Sequence, residues 1–232
     1  MAGLSATLRE FPSPEVLAAA LAAKVAAVLG EAIETRGRAL LAVSGGTTPA
    51  LFFRTLSEID LDWAKVVVTL VDERFVPEDS PRSNAGLAKA NLLTGKASAA
   101  RFVGLYRDAP DVEEAAREAD DVIDGLGLPL DAVVLGMGGD GHTASFFPDA
   151  ATLPQLLATE NQKLVMPVHA ASGGEPRLTL TMPAIANASF IALHIEGEAK
   201  RKVLASVIAG EKLPIRAVLE AAHEPVEVFW AP

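Results

Sequence analysis

Along this chain, short unbroken apolar runs alternate with longer stretches in which apolar residues recur at helical spacing. The runs Arg38–Val43, Lys65–Val71, Leu130–Leu135, Lys163–Val168 and Phe190–Ile195 are rich in Val, Leu and Ile, as strands buried on both faces are. The stretches Pro49–Ile59, Asn84–Leu93, Val112–Leu126, Met182–Ala188 and Ala199–Ile208 read as helices. A first helix is expected from Ser13, which can cap it, with Pro14 in the first turn and Glu15 complementing the dipole. Its Ala-rich body, Val16 to Ile33, is interrupted by Lys24 and Glu31 and reads as an amphipathic helix, not a membrane span. The alternation predicts an α/β fold: a largely parallel sheet flanked by helices, with right-handed crossovers. Ala170–Pro176 reads as a loop. No linker or fixed-period repeat divides residues 1–232, so one domain is expected.

The polar and Gly-rich segments fall where strands end, and in open α/β sheets ligands bind outside the carboxyl ends of the strands. Ser44-Gly45-Gly46-Thr47-Thr48-Pro49 follows one strand and opens a helix. Its glycines let backbone approach an anion, and its hydroxyls and the helix N-terminus supply donors. The same residues also suit a tight turn with a capping Thr. No Lys follows the glycines, so this is not a Walker loop, and Ala42 breaks G-x-S-x-G, which makes Ser44 a ligand donor and not a nucleophile. Asp72-Glu73-Arg74 ends the next strand. Side-chain alternation puts Asp72 and Arg74 on one face, able to hold each other and a polar substrate, with Glu73 pointing away; a solvated charged loop is the alternative. Ser80-Pro81-Arg82-Ser83-Asn84 adds polar groups before the next helix.

The third segment, Gly136-Met137-Gly138-Gly139-Asp140-Gly141-His142-Thr143-Ala144-Ser145, contains G-x-G-x-x-G. Pro148 cuts short any helix behind it, and Val168-His169 stand where a dinucleotide site needs an acidic residue. Asp140-Gly141-His142 instead places an imidazole two residues from a carboxylate, which suits a general base held by an acceptor; a loop histidine without chemistry is the alternative. His169, His194 and His223 have no such setting and are expected to be structural. Arg177, heading RLTLTMPAI, and Lys200, opening a helix after Glu196-Gly197-Glu198, are cations near apolar strand ends.

Composition narrows the partners. The 232 residues are 50% hydrophobic and 22% charged, ample for a large core, and the net charge is −10. Nucleic acid and anionic membrane surfaces are therefore unfavourable partners. An anionic substrate must be captured by a few local cations and backbone N–H groups, which gives Arg177 and Lys200 their interest. The absence of cysteine excludes disulfides, thiolate nucleophiles and Cys-ligated metals, and agrees with a reducing cytoplasm. The N-terminus lacks a basic region followed by an apolar stretch, so no leader is expected.

SGGTTP, then VDERFVP with Ser83-Asn84 following, then LGMGGDGHTASFFP, in this order, resemble the 6-phosphogluconolactonases, part of a broader sugar-phosphate family with the glucosamine-6-phosphate deaminases. The resemblance runs over essentially the whole chain, including RLTLTMPAI and the GEAKRKVL helix. It implies a modified Rossmann-like sheet and hydrolysis of a phosphorylated sugar lactone, 6-phosphoglucono-1,5-lactone, without cofactor or metal. It implies that His142 is catalytic, with Asp140 and Arg74 beside it. Ser44, Gly45, Gly46 and Thr47 would form the substrate loop. Asp72, Arg82, Asn84, Arg177 and Lys200 would be substrate contacts, the cations toward substrate and its phosphate. A monomer or small homo-oligomer is expected. The deaminase branch resembles DGHIAFNEP, where Phe147 of this chain replaces the Glu, and it places an aromatic residue where Arg74 stands. Both departures point away from deamination. A sugar-phosphate sensor would need a DNA-binding segment, and the first thirty-odd residues hold one Ala-rich helix. A nicotinamide-dependent oxidoreductase would rest on the glycine pattern alone.

Overall fold

The central strand of the molecule is fully buried, and its neighbours on both sides run parallel to it. In the computed structural model, which describes residues 6–232, the elements in chain order are β1 (Ala6–Glu10), α1 (Pro14–Arg36), β2 (Ala39–Val43), α2 (Ala50–Ser57), β3 (Val66–Leu70), β4 (Asp72–Arg74), α3 (Asn84–Asn91), β5 (Arg101–Val103) and α4 (Val112–Asp124). They continue with β6 (Ala132–Leu135), α5 (Leu153–Leu157), β7 (Val165–Val168), β8 (Arg177–Leu180), α6 (Met182–Ala186), β9 (Phe190–Glu196), α7 (Glu198–Ala209), α8 (Pro214–Ala221) and β10 (Val226–Ala231). The segment read for a leader begins with residues 1–5, which lie outside the described residues.

Seven strands form one sheet in the order β1-β10-β9-β6-β2-β3-β5, and every neighbouring pair is parallel. The predicted α/β architecture is therefore observed. All five residues of β2 are buried, as are all four of β6, which is why these strands read as unbroken apolar runs. α1 starts as the sequence predicts: the Ser13 hydroxyl accepts from the Val16 N–H at 3.4 Å, and the Gly37 N–H closes the other end on the Ile33 carbonyl. With a mean hydropathy of 2.0 this helix is long and apolar enough to cross a bilayer. Here Leu17, Leu21, Val25 and Leu29 are fully buried, and the helix packs against α2, β2 and β10. Full burial of each such side chain contributes about 1.5–3 kcal/mol.

Two expectations are corrected. Lys163–Val168, read as one more strand of the parallel series, supplies β7, which pairs antiparallel with β8 in a separate sheet, β4-β8-β7. Apolarity identifies a buried extended segment but not its partner. Pro167, which lacks an N–H, suits this edge position. Asp72–Arg74 forms β4 of that small sheet and does not simply end β3. The strands β1, β5, β8 and β10 and the helices α5 and α8 had no counterpart in the sequence reading. β1 is a largely exposed edge strand and β5 is three residues long, so neither carries a sustained apolar run.

The chain leaves β2 toward β3 on one side, whereas β6 lies on the other. Their carboxyl ends open at this switch point, where α/β sheets bind ligands. The loops after β2 and β6, and the small sheet beside them, meet there.

Candidate active site

The loops after β2 and β6 are tied together by backbone. The Ser44 N–H donates to the Val134 carbonyl at 3.0 Å, and the Gly136 N–H donates to the Ser44 hydroxyl at 3.3 Å. Beyond Gly136 the chain folds back on itself: Thr143 Oγ1 donates to the Gly136 carbonyl at 2.8 Å, and the Gly138 N–H to the His142 carbonyl at 2.9 Å. Two glycines are required by close approach. A Cβ on Gly45 would overlap the Asn84 amide, and one on Gly138 would overlap the His142 ring. No helix opens directly behind the glycines of the loop after β6; the chain runs through turns to the five-residue α5. This geometry differs from the strand–glycine–helix unit that holds a dinucleotide.

A cleft at this place is lined by Ser44, Gly45, Asp72, Arg74, Asn84, His142, Arg177 and Lys200 among the predicted residues. Thr48, Gly138, Thr143 and His194 line it as well. Gly46 and Thr47 sit at the exposed tip of the first loop and do not line it. Arg82 points its side chain to Glu175 at 2.6 Å, and its carbonyl accepts from Arg74 Nη1. Asp140 stands behind His142, with Oδ1 at 2.5 Å from His142 Nδ1. An Nδ1–H donating to that carboxylate leaves Nε2 as the ring's free base.

The small sheet supplies the polar wall. Asp72 accepts from Ser145 Oγ at 2.6 Å and lies 3.8 Å from Arg177 Nη1. The expected Asp72–Arg74 partnership is thus replaced. β8 runs antiparallel beside β4 with Arg177 opposite Arg74, and the long Arg177 side chain reaches diagonally across to Asp72, whose own cross-strand partner is Thr179. Glu73 does point away, and it is fully buried. Its carboxylate accepts from the N–H groups of Arg74, Asn84 and Ala85 and from the Ser83 hydroxyl, at 2.7–3.1 Å. It thereby caps α3 and fixes two cleft residues. Burial pushes the Glu73 carboxyl up, and these four hydrogen bonds pull the other way.

Arg177 is 8% exposed. Burial pulls its guanidinium down, and Asp72 opposes this. The Nε–H groups of Arg74 and Arg177 are buried without a protein acceptor. Phe147 packs its ring 4.6 Å from the His142 ring and beneath the Arg177 guanidinium at 5.5 Å.

His194 was expected to be structural, yet it lines the cleft and holds Glu196 Oε1 at 3.0 Å from its Nε2. The signal was present in the sequence: residues two apart on a strand share a face. His169 also has a carboxylate partner, Glu113 at 2.7 Å, but it is exposed and does not line the cleft. Burial pushes the His194 imidazole below its ordinary 6.5, with Glu196 pulling upward. Below pH 6.5 the unfolded chain then takes up a proton that the folded chain refuses. This contribution to stability is present above 6.5 and lost as pH falls toward the lowered value. Urea midpoints are expected to drop less in His194→Gln than in wild type between pH of about 7.5 and about 5.5. Equal drops would exclude His194 from the acid response.

Residues 12–230 match the family described as glucosamine-6-phosphate isomerases/6-phosphogluconolactonase. The chain is 59% identical over 231 residues to a 6-phosphogluconolactonase of Mesorhizobium japonicum, covering 99% of this chain and 97% of that one. It is 50% identical over 232 residues to one of Rhizobium meliloti, covering 99% and 100%. Among solved structures, a 6-phosphogluconolactonase from Shewanella baltica superposes with a TM-score of 0.94 at 40% identity, covering 98% of both chains.

Proposed function

The chain belongs to the glucosamine-6-phosphate isomerase/6-phosphogluconolactonase family, and on that footing we propose that it hydrolyses 6-phospho-D-glucono-1,5-lactone to 6-phospho-D-gluconate, with His142 as general base. The observation that carries the reading is the His142–Asp140 pair facing a cleft that also holds Arg74, Arg177 and Lys200. A cysteine-free acidic chain suits the cytoplasm, where oxidative sugar-phosphate metabolism would supply this lactone.

His142 Nε2 takes a proton from water as the water oxygen attacks the lactone carbonyl carbon. Asp140 holds the Nδ1–H, fixes the tautomer and favours the imidazolium that forms. The negative charge that develops on the carbonyl oxygen meets Arg74 or loop N–H donors. The tetrahedral intermediate collapses, the C–O bond to the ring oxygen breaks, and the imidazolium returns its proton to that oxygen. The product carboxylic acid then loses its proton to solvent. A lactone is an activated ester, so base catalysis and positioning suffice without a covalent enzyme intermediate. Arg74, Arg177 and Lys200 contact the substrate and its phosphate, a role that a protein of net charge −10 can fill only locally.

The test is the rate of disappearance of freshly made lactone with and without protein at matched pH, after subtraction of spontaneous opening. Acceleration proportional to protein concentration is expected. A rate equal to the blank, from folded protein, would overturn the reading. Ammonia release from glucosamine 6-phosphate would transfer the chain to the other branch of the family, against which Phe147 argues.

A further inference from the structure

Lys200 is a cation in the cleft of an acidic protein, and a glutamate stands close by at Glu196. Left to themselves such groups pair, and a paired lysine is a poorer anion contact. Among the described residues, however, Lys200 has no carboxylate within ion-pair distance; its ammonium reaches Thr48 Oγ1 at 3.4 Å. The Glu196 carboxylate is instead held by His194 Nε2 at 3.0 Å.

The backbone explains this division. His194 and Glu196 are two residues apart on β9 and share a face. His194 is 3% exposed and packed edge-on against Phe52, so its ring is fixed. After Glu196 the chain turns at Gly197, and α7 begins at Glu198, so Lys200 lies in the first turn, back over the end of β9. Glu196 is near enough for its charge to act on Lys200, which burial otherwise drives toward the neutral amine. The other charged and titratable groups around the cleft are Asp72, Arg74, His142 and Arg177. Asp72 is held by Ser145 and Arg177, so no second carboxylate of the cleft wall claims Lys200.

We propose that His194 is a positioning residue that sequesters Glu196 and so leaves the Lys200 ammonium open to the anionic group of the substrate. His194 directs the Glu196 oxygen away from the position an anion takes. This rests on Lys200 being an anion contact under the lactone reading, and it adds a residue pair to which that reading gave no role.

The test is a four-variant set read in two ways: KM and kcat for the lactone, and the Kd of inorganic phosphate by calorimetry. His194→Leu removes the donor and frees Glu196 to close on Lys200. KM and the phosphate Kd are expected to rise about fivefold to tenfold with kcat held within about twofold. His194→Gln, whose amide still donates to Glu196, is expected to bring both back to within about twofold of wild type. Glu196→Gln alone is expected to tighten phosphate. His194→Leu combined with Glu196→Gln is expected to bind it at least as well as wild type, a rescue that a merely structural histidine would not permit.

A double variant as weak as His194→Leu, or a Glu196→Gln variant that binds phosphate more weakly than wild type, overturns the proposal. If His194→Leu does not fold, Glu196→Gln and His194→Gln still decide it. If wild type fails to accelerate lactone opening, the lactone reading falls, and the phosphate titrations still decide the role of His194.

Discussion

His142→Asn is expected to lower kcat by about 10²–10⁴-fold, the range that a positioned general base supplies. The asparagine amide retains polarity and approximate size but has no basic nitrogen at the position of Nε2. The His142 side chain is 31% exposed, so the substitution opens no buried cavity, and stability should stay within about 0.5 kcal/mol of wild type. Product should still bind, because Arg74, Arg177 and Lys200 are untouched. The measurement is kcat from initial rates with spontaneous opening subtracted, alongside calorimetry with 6-phosphogluconate. A variant with near-wild-type kcat would remove His142 from the mechanism. One that has lost product binding as well would make His142 a ligand contact and not a base.

Glu73→Ala is expected to have the largest effect on stability. Three backbone N–H groups and a hydroxyl, from Arg74, Asn84, Ala85 and Ser83, lose their acceptor in a site of 0% exposure. A buried donor left unsatisfied costs about 1–3 kcal/mol, and some of the four will regain a partner as water enters the space the side chain vacates. A net loss of about 3–5 kcal/mol is expected, a large part of the stability of a typical domain. It is read as a lowered urea midpoint at unchanged slope. Activity should fall with it even where the chain is still folded, because Glu73 fixes the backbone of Arg74 and of Asn84, both in the cleft wall. A loss below about 1 kcal/mol would mean that the α3 N-terminus finds other acceptors and that Glu73 is not its anchor.

The sequence made the elements with strong local signals readable. The five apolar runs became β2, β3, β6, β7 and β9, because strands buried on one or both faces leave little room for polar residues. α1 could be placed to the residue at its start, because Ser13 and Pro14 act within one turn. The glycine loops could be recognised as site-forming because glycine there answers to close approach, of Gly45 to Asn84 and of Gly138 to His142. The nearness of Asp140 to His142 on one short loop was legible too, whereas the contact of Oδ1 with Nδ1 came only with the structure.

What the sequence did not determine are the partnerships made across the fold. The direction in which β7 and β8 pair, the choice of Arg177 and not Arg74 as the neighbour of Asp72, and the burial of Glu73 against α3 depend on segments brought together from distant parts of the chain. His194 looked inert because its importance comes from where the end of β9 lies, beside the loop after β2 and under Lys200. Local periodicity, capping and turn chemistry act over a few residues and are written in the sequence. Which charged group faces which, and which is left open for a ligand, is decided by distances that exist only once the sheet order and the switch between β2 and β6 are formed.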